Sequence, residues 1–104
     1  MIKRAIERLR QKKREHMRKG CLVETFWQLS FRRPIWNGDD NRCKWIIDGL
    51  DCAANDLEIT LEERDALKAY VYFKIYKKVP AELVSRADQT IVYRLMEEVG
   101  FTYV

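Results

Sequence analysis

The side chains best suited to nucleophilic or soft-metal chemistry in this 104-residue chain are one histidine, His16, and three cysteines, Cys21, Cys43 and Cys52. A catalytic cysteine needs a base at hand and a setting that favours the thiolate. His16 precedes Cys21 by five residues, which is not by itself a set of nucleophile, base and orienting group. Structural zinc sites draw their ligands from closely spaced pairs, and no such pair occurs among these four residues. Cys43 falls on an apolar stripe and reads as a small buried hydrophobe, while Cys52 points nearly the opposite way. Ser30 and Ser85 are the serines, and there is no Gly-rich phosphate loop or Walker signature. The expectation is a non-enzyme with no catalytic residue, no metal ligand, no cofactor and no small-molecule substrate.

Charge is the stronger signal. Residues 1–19 hold nine Lys/Arg against Glu7 and Glu15, a net +7, while residues 48–67 hold seven Asp/Glu against Arg64, a net −6. A basic segment suits a polyanion and an acidic one repels it. Arg4, Arg8, Lys12, Arg14, Arg18 and Lys19 are candidate phosphate contacts, with Arg32, Arg33 and Arg94 as extensions of the patch. Each neutralised phosphate releases counterions, so such binding falls with salt. Arginine outnumbers lysine in the first eighteen residues, which favours forked phosphate recognition over a merely soluble face. The competing reading is internal: the basic helix lies against the acidic helix start at Glu62, Glu63 and Asp65.

Tryptophan supplies a third signal. Trp36 stands in a turn beside Arg33 and Pro34, and Trp45 stands off the apolar stripe of its helix. Exposed Trp and Arg together anchor protein interfaces, so Trp36, Trp45 and Arg33 are candidate protein contacts. The alternative is that they cover the core as satellite residues.

These residues need elements to position them. Thr60 and Glu63 have the spacing of a capping box, and the run behind them to Lys78, rich in Ala, Leu, Tyr, Phe and Ile, covers more than a narrow stripe. The central helix is therefore 60–78, with its second half buried on several sides. Cys43, Ile46, Ile47, Leu50, Ala53, Ala54 and Leu57 form a three-four pattern, predicting a helix at 40–56 packed beside it. Residues 2–18 read as a helix whose stripe of Ile2, Ala5, Ile6 and Leu9 docks on the core while its second half projects, with Gly20 as C-terminal cap. Val23, Thr25, Trp27, Leu29 and Phe31 alternate with Glu24, Gln28, Ser30 and Arg32 as in a half-buried strand, spoiled only by Phe26. The same run places Leu22, Phe26 and Leu29 at helical spacing, and its β-branched and aromatic content favours the strand. After Pro80 come a short helix at 81–86 and a last helix ending near Val99, capped by Ser85 or Asp88 and closed by Gly100.

Within residues 60–99, Glu62, Glu63, Arg64 and Leu67 start an acidic helix, Glu82 and Leu83 fall in a short second one, and Thr90, Val92, Tyr93, Arg94 and Leu95 in a third. This pattern resembles the helix-turn-helix portion of sigma-region-4-type and phage late-transcription regulators. The resemblance covers under half of the chain. It implies that Gln89, Thr90, Tyr93 and Arg94 face the major groove. The chain departs from the pattern at Ala87-Asp88-Gln89, which brings no glycine and is short for the usual loop, and at Glu97 and Glu98, which oppose phosphate. An ordinary helical hairpin fits the same residues.

The sequence thus predicts a mainly α, single small domain of about four helices around helix 60–78, with residues 1–19 a partly projecting basic helix. A minor two-stranded element pairing 21–33 with 101–104 is the one β expectation. No apolar run approaches the ~20 residues of a membrane span, and the basic N-terminus lacks a signal peptide's apolar stretch. The odd cysteine count fits reduced thiols and a cytoplasmic location. The expected function is a small accessory or regulatory protein that binds DNA or RNA. The alternative is a small modulator or inhibitor that docks on a larger host enzyme or nucleoprotein complex.

Overall fold

The structure is a computed structural model and describes residues 2–30 and 40–101. Among these the chain is helical throughout its regular elements: α1 (Ile2–Ser30), α2 (Asp40–Asn55), α3 (Leu61–Tyr76), a 3-10 helix (Ala81–Arg86) and α4 (Gln89–Glu98). No strand occurs among the described residues. No helix among them is long and apolar enough to cross a membrane.

The centre is α3, which touches α1, α2, the 3-10 helix and α4. Its start is set by the Thr60–Glu63 box read from the sequence. The Glu63 amide donates to Thr60 Oγ1 at 3.0 Å, and the Thr60 amide donates to Glu63 Oε1 at 2.9 Å. Ala66, Leu67, Ala69 and Val71 are buried along its middle. Tyr70, Tyr72 and Ile75 are half-buried, while Phe73 and Tyr76 are exposed. The deeply buried part is therefore the run from Glu63 to Val71 across the middle of the helix, and the last turn of the second half is less covered than expected. Small alanines on several sides let neighbours approach there, whereas the bulky aromatic end overhangs its support.

Helix α2 buries the Cys43, Ile46, Ile47, Leu50, Ala53 and Ala54 stripe predicted for it, and it leaves Trp45 and Cys52 exposed. Its end is a Schellman turn. The Glu58 amide donates to the Ala53 carbonyl at 2.9 Å and the Leu57 amide to the Ala54 carbonyl at 3.1 Å. Leu57 occupies the left-handed position at φ +61 that glycine ordinarily takes. The same motif closes α4, with Gly100 at φ +78 and the Phe101 amide donating to the Met96 carbonyl at 2.9 Å. Asp88 caps the start of α4 by accepting from the Thr90 and Ile91 amides.

The largest departure from expectation is α1. It does not stop at Gly20, and residues 21–30 continue as helix where alternation favoured a strand. Burial decides the matter. Leu22, Thr25 and Phe26 are sealed against the core and Leu29 packs at its edge, a helical spacing that a strand could not satisfy. Phe101, the expected strand partner's first residue, meets Phe26 ring to ring at 5.9 Å instead of pairing backbones. Residues 102–104 and 31–33 lie outside the described residues.

The halves of α1 are also reversed. Its C-terminal half docks, and no residue from Ile2 to Met17 is buried. The radius of gyration, 15.0 Å, exceeds the roughly 13 Å of a compact chain this long. The excess fits a 29-residue helix of about 43 Å rooted at one end only.

Candidate nucleic-acid interface

The docked half of α1 fixes where its basic half goes, and Arg18 is the junction. Arg18 is helically in line with Leu22, Thr25 and Leu29, so it enters the crevice where α1 meets α3 and α4. Its guanidinium reaches two carboxylates at once. Nη1 and Nη2 donate to Glu63 at 2.7 and 2.8 Å, while Nε and Nη2 donate to the two oxygens of Glu98 at 2.8 Å each. A longer bond of 3.4 Å runs from Nη1 to the Glu58 carbonyl.

The electrostatics follow from this geometry. Hydrogen bonding to Arg18 holds the Glu63 carboxyl below the usual range against the opposing effect of burial, and the Thr60 amide helps. Hydrogen bonding to Arg18 likewise lowers Glu98. Those carboxylates in turn raise the Arg18 guanidinium further.

Arg18 therefore does not have the free guanidinium that a phosphate contact needs. The internal pairing expected at Glu62, Glu63 and Asp65 is realised at Glu63 alone. Asp65 is answered from within its own neighbourhood by Arg64 at 3.0 Å and Arg86 at 3.5 Å. Asp51 is met by Lys68 at 3.1 Å. Two of the seven acids of this stretch, Asp51 and Asp65, are thus paired without the arm.

The rest of the arm keeps its charge. Among the described residues, none of Lys3, Arg4, Arg8, Arg10, Lys12, Lys13, Arg14 and Lys19 makes an ion pair, and all are exposed. At 100° per residue, Arg4, Arg8, Lys12 and Lys19 lie along one flank of α1, and Lys3, Arg10 and Arg14 along the other. Asp56 and Glu58 face Arg10, Lys13 and Arg14 across a shallow groove at the arm's base. These carboxylates offset part of the positive charge at the arm's base.

Arg94 is exposed on α4, one turn before Glu98. Gln89 and Thr90 are exposed as well, and Tyr93 is half-buried. The segment before α4 is a 3-10 helix, not an α-helix, and only Ala87-Asp88 separates the two. Glu97 is exposed beside them, so this end of the molecule presents a mixed charge. Arg32, Arg33 and Trp36 lie outside the described residues, while Trp45 is 72% exposed.

The thiols are in unlike places: Cys43 buried, Cys21 half-buried, Cys52 exposed. Burial, and then the Glu58 charge, push the Cys21 thiol up, away from the reactive thiolate. No group of three or more His, Cys, Asp or Glu side chains able to hold a metal occurs among the described residues.

Sequence reasoning held the basic helix against Glu63 as its competing reading but assigned Arg18 to phosphate, and it missed Glu98, 80 residues away. It also missed the outward aliphatic residues of the arm, although their spacing was there to be read. Fold and site together describe a small all-α protein with a basic helical arm. Comparison of the chain with protein families, with characterised proteins and with solved structures finds no match. The likeness of residues 60–99 to helix-turn-helix regulators accordingly rests on the residue pattern alone.

Proposed function

We propose that this is a non-enzymatic, cytoplasmic accessory or regulatory protein that binds DNA or RNA through the N-terminal half of α1. The observation that supports the reading is the projecting arm, eight of whose nine Lys/Arg side chains make no ion pair among the described residues. A helix of this width enters a major groove or lies along a phosphate backbone. Arg4, Arg8, Arg14, Lys12 and Lys19 contact phosphates, and Arg94 extends the patch only when the nucleic acid also reaches α4. Binding of this kind is electrostatic and carries little base preference.

The test is fluorescence anisotropy of the full chain with labelled duplex and single-stranded oligonucleotides across a salt series. Affinity falls linearly in log salt, and the Arg4→Ala, Arg8→Ala, Arg14→Ala triple variant lowers the slope by about three. Absence of binding at low salt removes the proposal.

A second reading, a modulator docking on a larger protein or nucleoprotein complex, is favoured by Trp45, whose indole is largely uncovered on α2. Loss of a captured partner on Trp45→Ala, with nucleic-acid binding intact, supports that reading over the first.

A further inference from the structure

The outer face of α1 carries a feature that phosphate binding leaves unused. Ile2, Ile6 and Leu9 are 78%, 42% and 67% exposed, although aliphatic side chains at helical spacing ordinarily face a partner. The spacing runs on with alternating steps of four and three through Lys13, His16, Gly20, Val23 and Trp27. That alternation is the inner-position pattern of a coiled coil. All eight positions fall within about 50° of one line on the helix, and Leu22, Phe26 and Leu29 fall on the other side. The core therefore occupies one face of α1 and leaves this seam open along its length.

Spacing and charge say what fits the seam. The four-three alternation suits the side chains of another helix, and a phosphate backbone gains nothing from isoleucine. Its polar side chains are Lys13 and His16, and on α1 the positions that flank it hold Lys3, Arg10, Lys12 and Lys19, with Glu24 the single acid. Asp56 and Glu58 face Arg10 and Lys13 at the arm's base only, which leaves Lys3, Lys12 and Lys19 to the partner. Flanking charges choose the partner in such pairs. We propose that the outer face of α1 docks an amphipathic helix of a partner protein whose flanking residues are Asp and Glu.

A second copy of this chain fits less well. Parallel pairing sets Lys13 against itself, and either direction brings together two arms of net +7. Gly20 lets the partner's backbone come close, because a Cβ there would meet nothing within 4 Å. At that point the seam adjoins a groove of about 240 Å³ between α1 and α2, with Gly49 and Ala53 in its lining and Trp45 at its rim. The groove takes one apolar side chain of the incoming helix.

This proposal does not rest on nucleic-acid binding, since Arg4, Arg8 and Arg14 lie away from the seam. The two are separated by titrating the full chain with a labelled helical probe peptide of four heptads, Ile and Leu at its inner positions and Glu at its flanks. A peptide of the same composition in scrambled order and a Lys-flanked version serve as controls. The Glu-flanked probe binds, the scrambled one binds at least about tenfold more weakly, and the Lys-flanked one does not bind. The double variant Ile6→Ser, Leu9→Ser weakens the probe about a hundredfold, with circular dichroism confirming that the helix persists. The Arg4→Ala, Arg8→Ala, Arg14→Ala variant leaves probe binding within about threefold.

Equal binding of the scrambled peptide, or none of the Glu-flanked one, overturns the proposal. So does self-association in sedimentation velocity that the Ser variant abolishes, which would make the occupant a second copy. Binding to phosphatidylserine vesicles with the same Ser sensitivity, and none to the probe, would make it a lipid surface.

Discussion

Replacing Arg18 by methionine keeps most of the aliphatic stem and removes only the fork that joins α1 to α3 and α4. Two ion pairs are lost. The Glu98 pair is half in water, its carboxylate 38% exposed, and an exposed pair contributes about 0.5 kcal/mol. The Glu63 pair is different, bidentate and with only 9% of the Glu63 side chain exposed. Breaking a fully buried pair costs about 3–5 kcal/mol. Here Arg18 is still 23% exposed and Glu63 keeps the Thr60 amide, so about 2 kcal/mol is the expected share.

The whole change should be near 2.5 kcal/mol, a fall of roughly 10–15 °C in Tm for a chain of this size. Both carboxyls titrate below their ordinary range in the folded protein. Their contribution is therefore complete above the ordinary carboxylate pKa and drains away as pH falls through the lowered one. The gap between native protein and variant, measured by urea melts followed by circular dichroism, is widest at neutral pH and narrows as pH falls below the ordinary carboxylate range. Arg18→Lys, which keeps the charge and loses the fork, recovers less than half. A gap under about 0.5 kcal/mol at neutral pH, or one of unchanged size in acid, refutes the assignment of Arg18 as the tie.

Other outcomes follow from the helix ends and the core. Leu57→Gly relieves a left-handed leucine that is 70% exposed and has little packing to lose, and should raise stability by about 0.5–1 kcal/mol in a urea melt. Gly100→Ala at the matching position of α4 should lower it by about 1 kcal/mol, the two changes having opposite sign because the residue types are reversed. Leu22→Ala, at a position with no exposure, should cost about 2–5 kcal/mol and release the rooted half of α1.

What was legible in the sequence was whatever is set by neighbours along the chain. The Thr60–Glu63 box, the Asp88 cap and the Gly100 close each satisfy backbone groups within a few residues, so type and spacing sufficed. The stripe on α2 was legible for a similar reason, since one face of one helix carries nearly all its apolar side chains. α1 was not, because its second half has apolar residues on both sides. Leu22 and Phe26 meet the core while Val23 and Trp27 face outward, and this two-sided pattern fits a period of two as readily as 3.6. Gly20 reads as a stop only if nothing beyond it is held, and Leu22 and Phe26 hold it. The best-formed stripe, Ile2 to Leu9, was assigned to the core on hydrophobicity, although nothing in its chemistry distinguishes one protein's core from another's surface. The Arg18 junction needed contacts between distant parts of the chain that no local signal carries.

The rooted end of α1 also sets how much helix the remainder can hold. Starting a helix in water carries an equilibrium penalty of roughly a thousandfold, whereas adding a residue to an existing one is close to neutral. In this chain the turns around Leu22 and Phe26 are already wound by burial, so the outlying turns need only propagate from them. Detached from that template, the same stretch of like-charged residues would be mostly coil. The outer turns of the arm keep their shape because of a core in which none of their side chains is buried.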